Sequence, residues 1–226
     1  MLYTVSMIII GHRGARGLAP ENTLAGIKAA LEANVDGVEI DVRVTSDGVV
    51  VLSHDAFIVD SNGGNWKISQ HTYDFLSNRH DSLATLSEAI VALPSTCLLR
   101  IEIKPDEPVE PLVALLRPIM AVQEPPKISV VSFDYKLLKT LHTTFPELPL
   151  ILNEKWSSVR AQIRARKLGT KRLQMNQRWL WRGFLRAMKH GSYLITPYTV
   201  NSPGQAKRWE RYVEGVITDY PDRFSK

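Results

Sequence analysis

Residues 37–53 read GVEIDVRVTSDGVVVLS, which is two runs rich in β-branched side chains around an Asp-Gly pair at positions 47–48. An Asp-Gly pair between two such runs is typical of a β-hairpin. Parallel strands would need a crossover of about a dozen residues or more, whereas only residues 45–48 separate these runs. We therefore predict a strand at Gly37–Val42 and an antiparallel return at Val49–Ser53.

Apolar runs of the same kind recur along the chain, separated by longer segments with helical character. This alternation is typical of βα units around a parallel sheet. The other runs are Met7–Gly11, Leu98–Ile103, Ile128–Ser132, Leu148–Leu152, Arg172–Met175, Ser192–Thr196 and Gly215–Thr218. Because the run at Val49–Ser53 folds back outside the barrel, eight barrel strands remain. The predicted fold class is α/β, a single (β/α)8 TIM barrel over residues 1–226 with a β-hairpin extension after strand 2.

The segments between the strands carry the signals that start and stop helices. Asn22 is predicted to cap a helix from Thr23 to Asn34, residues 132–134 (Ser-Phe-Asp) open another, and a third runs from Ser157 to Lys167. Residues 56–79 have turn signals and no clear period. We predict that they form a short irregular insertion above the C-terminal face of the barrel.

Composition limits the class of protein. A hydrophobic share of 44% and a mean hydropathy of −0.11 suit one globular domain. No apolar run approaches the ~18 residues of a membrane span, and Met1–Met7 lacks the basic region and cleavage site of a signal peptide. The single cysteine, Cys97, excludes an internal disulfide. These features predict a cytoplasmic protein.

Charge is distributed unevenly along the chain. The net charge of +5 combines about −7 over residues 1–154 with about +12 over residues 155–226. No acidic residue lies between Lys155 and Trp209. Such a skew concerns binding partners and not the fold.

Carboxylates follow a two-residue period in two neighbouring strands. Alternation places Glu39 and Asp41 on one face of strand 2, and Glu102 and Lys104 on one face of the next barrel strand. Three carboxylates at a barrel axis would repel each other and lose hydration, so they need a cation. Oxygen ligands suit Mg²⁺ or Ca²⁺. We predict that Glu39, Asp41 and Glu102 bind one divalent cation; the alternative is a structural ion-pair cluster of Asp41, Arg43, Glu102 and Lys104.

Two histidines follow predicted strands in the same way. His12 comes directly after Met7–Gly11, and His54 comes directly after Val49–Ser53. Side chains at the ends of barrel strands reach the catalytic mouth, where an imidazole can accept or donate a proton near neutral pH. A single histidine is more often structural, but two beside a carboxylate cluster predict acid–base catalysis.

Five motifs around these residues occur in the order and approximate spacing of a known family. They are Gly11-His12-Arg13-Gly14, Pro20-Glu21-Asn22-Thr23, Glu39-Ile40-Asp41, His54-Asp55 and Glu102-Ile103-Lys104. This set resembles the glycerophosphodiester phosphodiesterase family. Residues 132–133, 199–201 and 215–219 also look like that family's barrel elements, so the resemblance covers nearly the whole chain.

The resemblance implies a phosphoric diester hydrolase that converts a glycerophosphodiester into glycerol phosphate and an alcohol. It assigns acid–base roles to His12 and His54. It makes Glu39, Asp41 and Glu102 the ligands of the metal.

The same resemblance assigns supporting residues. Arg13 and Lys104 are expected near the substrate phosphate. Glu21 and Asn22 match a Glu-Asn-Thr motif, in which Glu21 orients its neighbours and Asn22 caps a helix. Tyr198 stands where a tryptophan commonly precedes Thr-Val-Asn, a departure that lies around the leaving group of the substrate.

Other functions stay open at this point. A barrel enzyme of the same superfamily that cleaves lysophospholipid or sphingolipid headgroups is the nearest alternative, and a non-catalytic phosphoester-binding barrel is an alternative of another class. Nucleic-acid binding is disfavoured, because the sequence holds no recognisable nucleic-acid module. The expected partner is a small-molecule glycerophosphodiester, and no protein partner is inferred.

One aromatic and basic segment allows two interpretations. Residues 178–190 read RWLWRGFLRAMKH. Basic side chains interleaved with Trp179, Trp181 and Phe184 suit weak association with an anionic membrane surface. The favoured interpretation is an outer barrel helix with an apolar stripe that packs on the strands.

Overall fold

The computed structural model describes residues 7–122, 127–155 and 158–224. The strands in this part of the chain are β1 (Ile8–His12), β2 (Gly37–Val44), β3 (Val50–Leu52), β4 (Phe57–Val59), β5 (Asn65–Lys67), β6 (Leu98–Ile103), β7 (Ile128–Ser132), β8 (Leu150–Glu154), β9 (Arg172–Asn176), β10 (Leu194–Tyr198) and β11 (Gly215–Thr218). All nine predicted strands are present, each shifted by at most two residues at either end. The shifts at β8 and β10 arise because both strands continue into residues that line the mouth.

Eight strands form a nearly closed parallel barrel, which confirms the predicted fold class. Their order is β10-β9-β8-β7-β6-β2-β1-β11. The two ends of this order meet through hydrogen bonds beside the strands: Glu214 N–H donates to Ile195 O at 2.9 Å, and Val200 N–H donates to Ile217 O at 2.8 Å. The barrel therefore closes through a seam of loop contacts between β10 and β11.

The hairpin after strand 2 is also confirmed. β3 pairs with β2 antiparallel, with Val44 opposite Val50 and Val42 opposite Leu52, and it pairs with no other barrel strand in the described chain. The hairpin thereby carries the chain back along β2, and Ser53 N–H, just before His54, donates to Asp41 O at 3.0 Å. This return places a residue that is remote in sequence from His12 at the same end of the barrel.

The helices of the described chain lie between the strands. They are α1 (Leu24–Glu32), α2 (Tyr73–Ser77), α3 (Leu86–Ala92), α4 (Glu110–Met120), α5 (Tyr135–Thr144), α6 (Ser158–Leu168), α7 (Arg182–His190) and α8 (Pro203–Trp209). The helix predicted to open at residues 132–134 is α5, and Asp134 caps it, since its side chain accepts from Lys136 N–H at 2.7 Å. The predicted start at Ser157 and the signal-peptide prediction for residues 1–6 lie outside the described residues. None of the helices described is long and apolar enough to span a membrane.

The predicted cap of α1 is wrong. Thr23 caps the helix, because its Oγ1 accepts from Gly26 N–H at 3.0 Å. Asn22 lies one residue earlier with a φ of 54°, in the left-handed region that Asn tolerates better than most residues. Its side chain turns away from the helix and toward Asp41, which gives Asn22 a different role.

The insertion over residues 56–79 is more ordered than predicted. It contains the antiparallel β4–β5 pair and α2, packed around a small core of Val51, Ile58, Ile68, Leu76 and Leu83. No single period is visible in the sequence because the segment combines short strands with a one-turn helix. The apolar side chains that hold it together are spread over more than twenty residues.

Alternation along β2 builds the core and positions the site. Val38, Ile40 and Val42 are fully buried and pack with residues of the outer helices. Glu39 and Asp41 point to the opposite face and are also buried. The strand is thus held by its apolar face while its acidic face lies in the barrel interior.

Candidate active site

A cleft of about 510 Å³ opens at the C-terminal end of the barrel. This is the end at which barrel enzymes place their chemistry. Its lining includes most of the predicted site residues, namely His12, Arg13, Asp41, His54, Glu102, Lys104 and Tyr198, together with Arg43, Phe133, Asn153, Lys155 and Gln174. The structure therefore brings together side chains from at least five strands.

Three buried carboxylates meet below the mouth. One oxygen from each of Glu39, Asp41 and Glu102 lies within 4.8 Å of the other two. Each residue is at most 5% exposed. Such a group matches the oxygen-rich donor set that a hard divalent cation requires.

Glu39 is the carboxylate with the least local compensation. Its Oε2 accepts from the backbone N–H of Arg13 at 3.1 Å. Burial and the nearby charges of Asp41 and Glu102 raise its pKa well above the usual range. A bound cation would remove this penalty, because it would favour the ionised form.

Asp41 is held by three side chains. Lys104 Nζ donates to Oδ1, and Asn22 Nδ2 donates to Oδ2 at 3.1 Å. Asn22 Oδ1 in turn accepts from Asp41 N–H at 2.9 Å, so the amide grips both the backbone and the side chain. Arg13 Nε lies 3.1 Å from Oδ2, although without the angle of a hydrogen bond. Burial opposes ionisation of Asp41, but Lys104 and Arg13 outweigh it and lower its pKa.

Lys104 links two of the carboxylates. Its Nζ also donates to Glu102 Oε1 at 2.6 Å, while Glu102 Oε2 accepts from Asn153 Nδ2 at 2.9 Å. Burial alone would lower the pKa of Lys104, but Glu102 and Asp41 raise it. Lys104 therefore stays protonated as a fixed positive charge among the acids.

The ion-pair interpretation accounts for only part of this cluster. Lys104 bridges Asp41 and Glu102 as that interpretation requires. Arg43 does not join them: its Nη1 lies 2.8 Å from Glu107 Oε1, and its Nη2 donates to His54 O at 3.0 Å. Glu39 is left with a raised pKa, so the donor set fits a further cation better than a closed ion-pair cluster.

His12 is oriented by a residue from the far end of the chain. Its Nδ1 lies 2.7 Å from Asp219 Oδ1 and 3.3 Å from Thr199 Oγ1. Asp219 also accepts from Arg16 Nε at 2.7 Å and from Asn201 Nδ2 at 2.9 Å. Partial burial opposes ionisation of Asp219, but the hydrogen bonds from His12 and Asn201 lower its pKa to about 2. Because the Asp219 carboxylate accepts a hydrogen bond, Nδ1 of neutral His12 carries the proton. The unprotonated nitrogen of the imidazole is then Nε2.

His54 has a similar but more open arrangement. Its Nδ1 lies 2.8 Å from Asp55 Oδ1, and its side chain is 38% exposed. Its backbone carbonyl is fixed by Arg43, which Glu107 holds in turn. The histidine therefore stands at the rim of the cleft on an anchored loop.

Arg13 and Glu21 form the edge of the site. Arg13 Nη1 donates to Glu21 Oε1 at 2.7 Å, and Arg16 Nη1 lies 3.5 Å from Glu21 Oε2. Glu21 thereby contacts the two arginines that approach Asp41 and Asp219. The orienting role expected of Glu21 stays a prediction.

Tyr198 presents a polar atom in the cleft. Its buried hydroxyl has no hydrogen-bond partner among the described residues. Burial and the charges of Glu102 and Glu39 raise its pKa, so the phenol keeps its proton. It can serve as a hydrogen-bond donor to a bound oxygen.

The sequence interpretation gave no site role to Asp219, Asn201 or Asn153. Asp219 directly follows the last barrel strand, which is the same kind of position that identified His12 as a candidate, and both Asp219 and Asn201 lie in stretches that resemble the family. Those signals could have found them. Asn153 carries no such signal, because a neutral amide is common in loops and strand ends without a function.

Comparison with known proteins agrees with this arrangement. The model of the glycerophosphoryl diester phosphodiesterase family matches residues 12–223. A glycerophosphodiester phosphodiesterase of Bacillus altitudinis is 25% identical over 236 aligned positions, which cover 96% of each chain.

Solved structures share the whole fold. One of them is a phosphodiesterase from Oleispira antarctica in complex with the product sn-glycerol-3-phosphate. It superposes with a TM-score of 0.84 at 26% identity, and the alignment covers 98% of this chain and 96% of that chain. A glycerophosphodiester phosphodiesterase from Thermotoga maritima superposes with a TM-score of 0.81 at 28% identity and covers 96% of each chain.

Proposed function

The chain belongs to the glycerophosphoryl diester phosphodiesterase family, and from this membership we propose that it hydrolyses a glycerophosphodiester to glycerol phosphate and an alcohol in a metal-dependent reaction. The observation that carries the proposal is the meeting of three buried carboxylates with His12 and His54 at one mouth. The Oleispira relative, whose complex contains sn-glycerol-3-phosphate, supports the choice of product.

The charges of the site suit a phosphodiester. Glu39, Asp41 and Glu102 would hold one Mg²⁺ or Ca²⁺, which when bound supplies positive charge to the phosphate oxygens. Arg13 and Lys104 add fixed positive charge beside the same carboxylates. Preorganised cations of this kind stabilise the charge that develops on phosphorus-bound oxygens during displacement.

The two histidines divide the proton transfers. One imidazole takes the proton of the attacking oxygen as that oxygen bonds to phosphorus, and the other donates a proton to the alcohol oxygen as its bond to phosphorus breaks. The attacking oxygen is either a water or the hydroxyl next to the ester. In the second case a cyclic phosphate forms first, and water opens it with the histidine roles reversed.

We expect release of glycerol phosphate from one or more soluble glycerophosphodiesters, with the alcohol as the second product. The measurement is a turnover screen with and without chelator, with the phosphorus-containing products identified by nuclear magnetic resonance. Transient cyclic phosphate would identify attack by the neighbouring hydroxyl. Absence of turnover with every glycerophosphodiester in the presence of Mg²⁺ and of Ca²⁺ would contradict the proposed reaction.

A second candidate is the cleavage of lysophospholipid headgroups. It is favoured by Trp179 and Trp181, which are exposed on a loop at the C-terminal end of the barrel. The same screen, extended to lysophosphatidylcholine, distinguishes a soluble-substrate hydrolase from a lipid-directed one.

Asp219→Asn should lower kcat about 10-fold or more, because the neutral amide no longer stabilises an imidazolium at His12. KM should change little, since Asp219 acts through His12. These quantities come from initial rates measured over a range of substrate concentrations.

Arg16→Gln is the matched control for this variant. It removes another hydrogen bond to Asp219 but keeps the carboxylate at His12, so kcat should stay close to that of the wild type. A kcat that is unchanged in Asp219→Asn would show that the aspartate serves only the fold.

A further inference from the structure

Exposed apolar side chains gather at the starts of two neighbouring outer helices. Trp181 is 67% exposed and Trp179 is 50% exposed, and both precede the first turn of α7. Val159, 64% exposed, lies in the first turn of α6. The two helices contact each other, since Gln162 Nε2 lies 3.4 Å from Met188 Sδ. We call Val159, Trp179 and Trp181 the tryptophan rim.

The rim lies at the catalytic end of the barrel. β9 ends at Asn176, and the loop that follows carries both tryptophans before α7 begins at Arg182. The C-terminal ends of barrel strands face the mouth. Gln177 on this loop donates to Thr199 O, and Thr199 Oγ1 lies 3.3 Å from His12 Nδ1. The loop is therefore tied to the loop that contacts the candidate catalytic histidine.

The outer-helix interpretation does not explain the two tryptophans. α7 buries Leu185 and Met188 against the barrel, and these residues supply the expected apolar stripe. Leu180, 8% exposed, anchors the loop between the tryptophans. Both tryptophans lie outside the helix, and at least half of the surface of each is exposed.

The exposed ring of Trp181 is packed against Gly183. A Cβ atom at Gly183 would lie 2.0 Å from the Trp181 ring. Glycine leaves room for the indole in this position. Gly183 therefore allows a large apolar side chain to lie against the start of α7.

Basic residues lie beside the rim in the sequence, and one of them, Arg182, also donates from Nε to Tyr212 Oη at 3.4 Å. Lys155, Arg178 and Arg182 are exposed, and Lys155 also lines the cleft. No acidic residue occurs between Lys155 and Trp209. Indole rings at headgroup depth beside cationic side chains are the combination that binds an anionic bilayer surface.

We propose that the tryptophan rim docks the enzyme on an anionic membrane surface, with the catalytic mouth toward the lipid headgroups. This inference rests on the proposed phosphodiesterase function, and it names the surface from which that site draws lipid-derived substrate. Docking places Trp179 and Trp181 in the headgroup layer, while Arg178 and Arg182 contact anionic headgroups.

Vesicle co-sedimentation tests the docking. The protein should pellet with vesicles of phosphatidylcholine and phosphatidylglycerol in equal parts, and not with phosphatidylcholine alone. Binding should fall as salt rises from about 0.1 M to about 1 M, since the screening length shrinks from about 10 Å to about 3 Å. Trp179→Ala/Trp181→Ala should weaken binding about tenfold or more, because two large apolar side chains leave the interface.

A pair of charge variants separates the rim from the overall charge. Arg178→Gln/Arg182→Gln should weaken binding about tenfold or more at low salt. Lys207→Gln/Arg208→Gln removes the same charge from the last turn of α8, at the opposite end of the barrel, and should have little effect. Three results would overturn the proposal. They are an equal loss of vesicle binding in both variants, no pelleting of the wild type with anionic vesicles at low salt, and equally tight binding of the wild type to single-stranded nucleic acid.

Activity assays distinguish failure of this proposal from failure of the proposed function. The double tryptophan variant should keep the wild-type turnover of a soluble glycerophosphodiester and lose turnover of lysophosphatidylcholine carried in anionic vesicles. Equal turnover of the vesicle substrate by both proteins would contradict docking and leave the phosphodiesterase intact. An unchanged melting temperature would show that the variant is folded.

Discussion

Removal of divalent cations with a chelator should abolish turnover, and Mg²⁺ or Ca²⁺ should restore it. Glu39, Asp41 and Glu102 converge within 4.8 Å, whereas the side chain of Lys104 contacts only the latter two. The substrate brings further negative charge to the same place. Without a divalent cation, Arg13 and Lys104 would face three carboxylates as well as the phosphodiester, and too little positive charge would remain for the phosphate oxygens. Full activity of thoroughly metal-stripped protein would contradict this assignment.

Glu39→Gln should separate metal binding from folding. Burial and repulsion raise the pKa of Glu39, so its ionised form is disfavoured in the folded protein. The neutral amide removes this penalty, and the metal-free variant should therefore melt at or above the wild-type temperature near neutral pH. The rise in melting temperature that metal gives the wild type should be lost, and turnover should fall sharply.

The pH dependence of metal binding follows from the same carboxyl. Because its pKa is raised, Glu39 must release a proton when a cation binds, and metal affinity should fall as the pH is lowered. Calorimetry in buffers of different ionisation heat would measure the released proton. Glu154→Gln is the matched control, since Glu154 is a buried carboxylate outside the trio and its variant should keep the metal-induced stabilisation.

His12→Ala and His54→Ala should each lower kcat by about 10²-fold or more, which is the usual scale of general acid–base catalysis. Each alanine variant lacks the imidazole that is proposed to carry out one of the two proton transfers. The fold-decrease in kcat of the double variant should be smaller than the product of the two single fold-decreases if the histidines act in one concerted step. The quantity to compare is kcat at saturating substrate and metal.

His142→Ala serves as the control for the histidine variants, because His142 is an exposed residue of α5. It should keep wild-type turnover. Near-normal turnover of His54→Ala would show that the residue at the end of the hairpin is a bystander. The melting temperatures of all variants should stay close to that of the wild type, since His12 and His54 lie at the mouth and outside the apolar core.

The barrel and its carboxylates could be predicted from sequence because both depend on short periods. One two-residue alternation in β2 places Val38 and Ile40 in the core and Glu39 and Asp41 in the interior. The hairpin could be predicted from the short Asp-Gly connection. These features need only local sequence, since steric rules fix which side chains share a face.

The remaining features depend on contacts between distant residues. Asn22 and Thr23 are both good capping residues, and only the fold shows that Asn22 bonds to Asp41 while Thr23 caps the helix. The partner of His12 lies 207 residues away, so no local pattern could pair them. The order of the insertion could not be predicted, because its small core draws on scattered residues that have no common period.

The seam between β10 and β11 has a consequence for biosynthesis. Glu39, Asp41, Glu102 and both histidines precede β7 in the sequence, whereas Asp219 follows β11, the last barrel strand. A nascent chain that stops before Asp219 lacks the anion that contacts the imidazole of His12. The proposed mechanism therefore predicts no efficient phosphodiester cleavage before β11 has been synthesised and has docked beside β1.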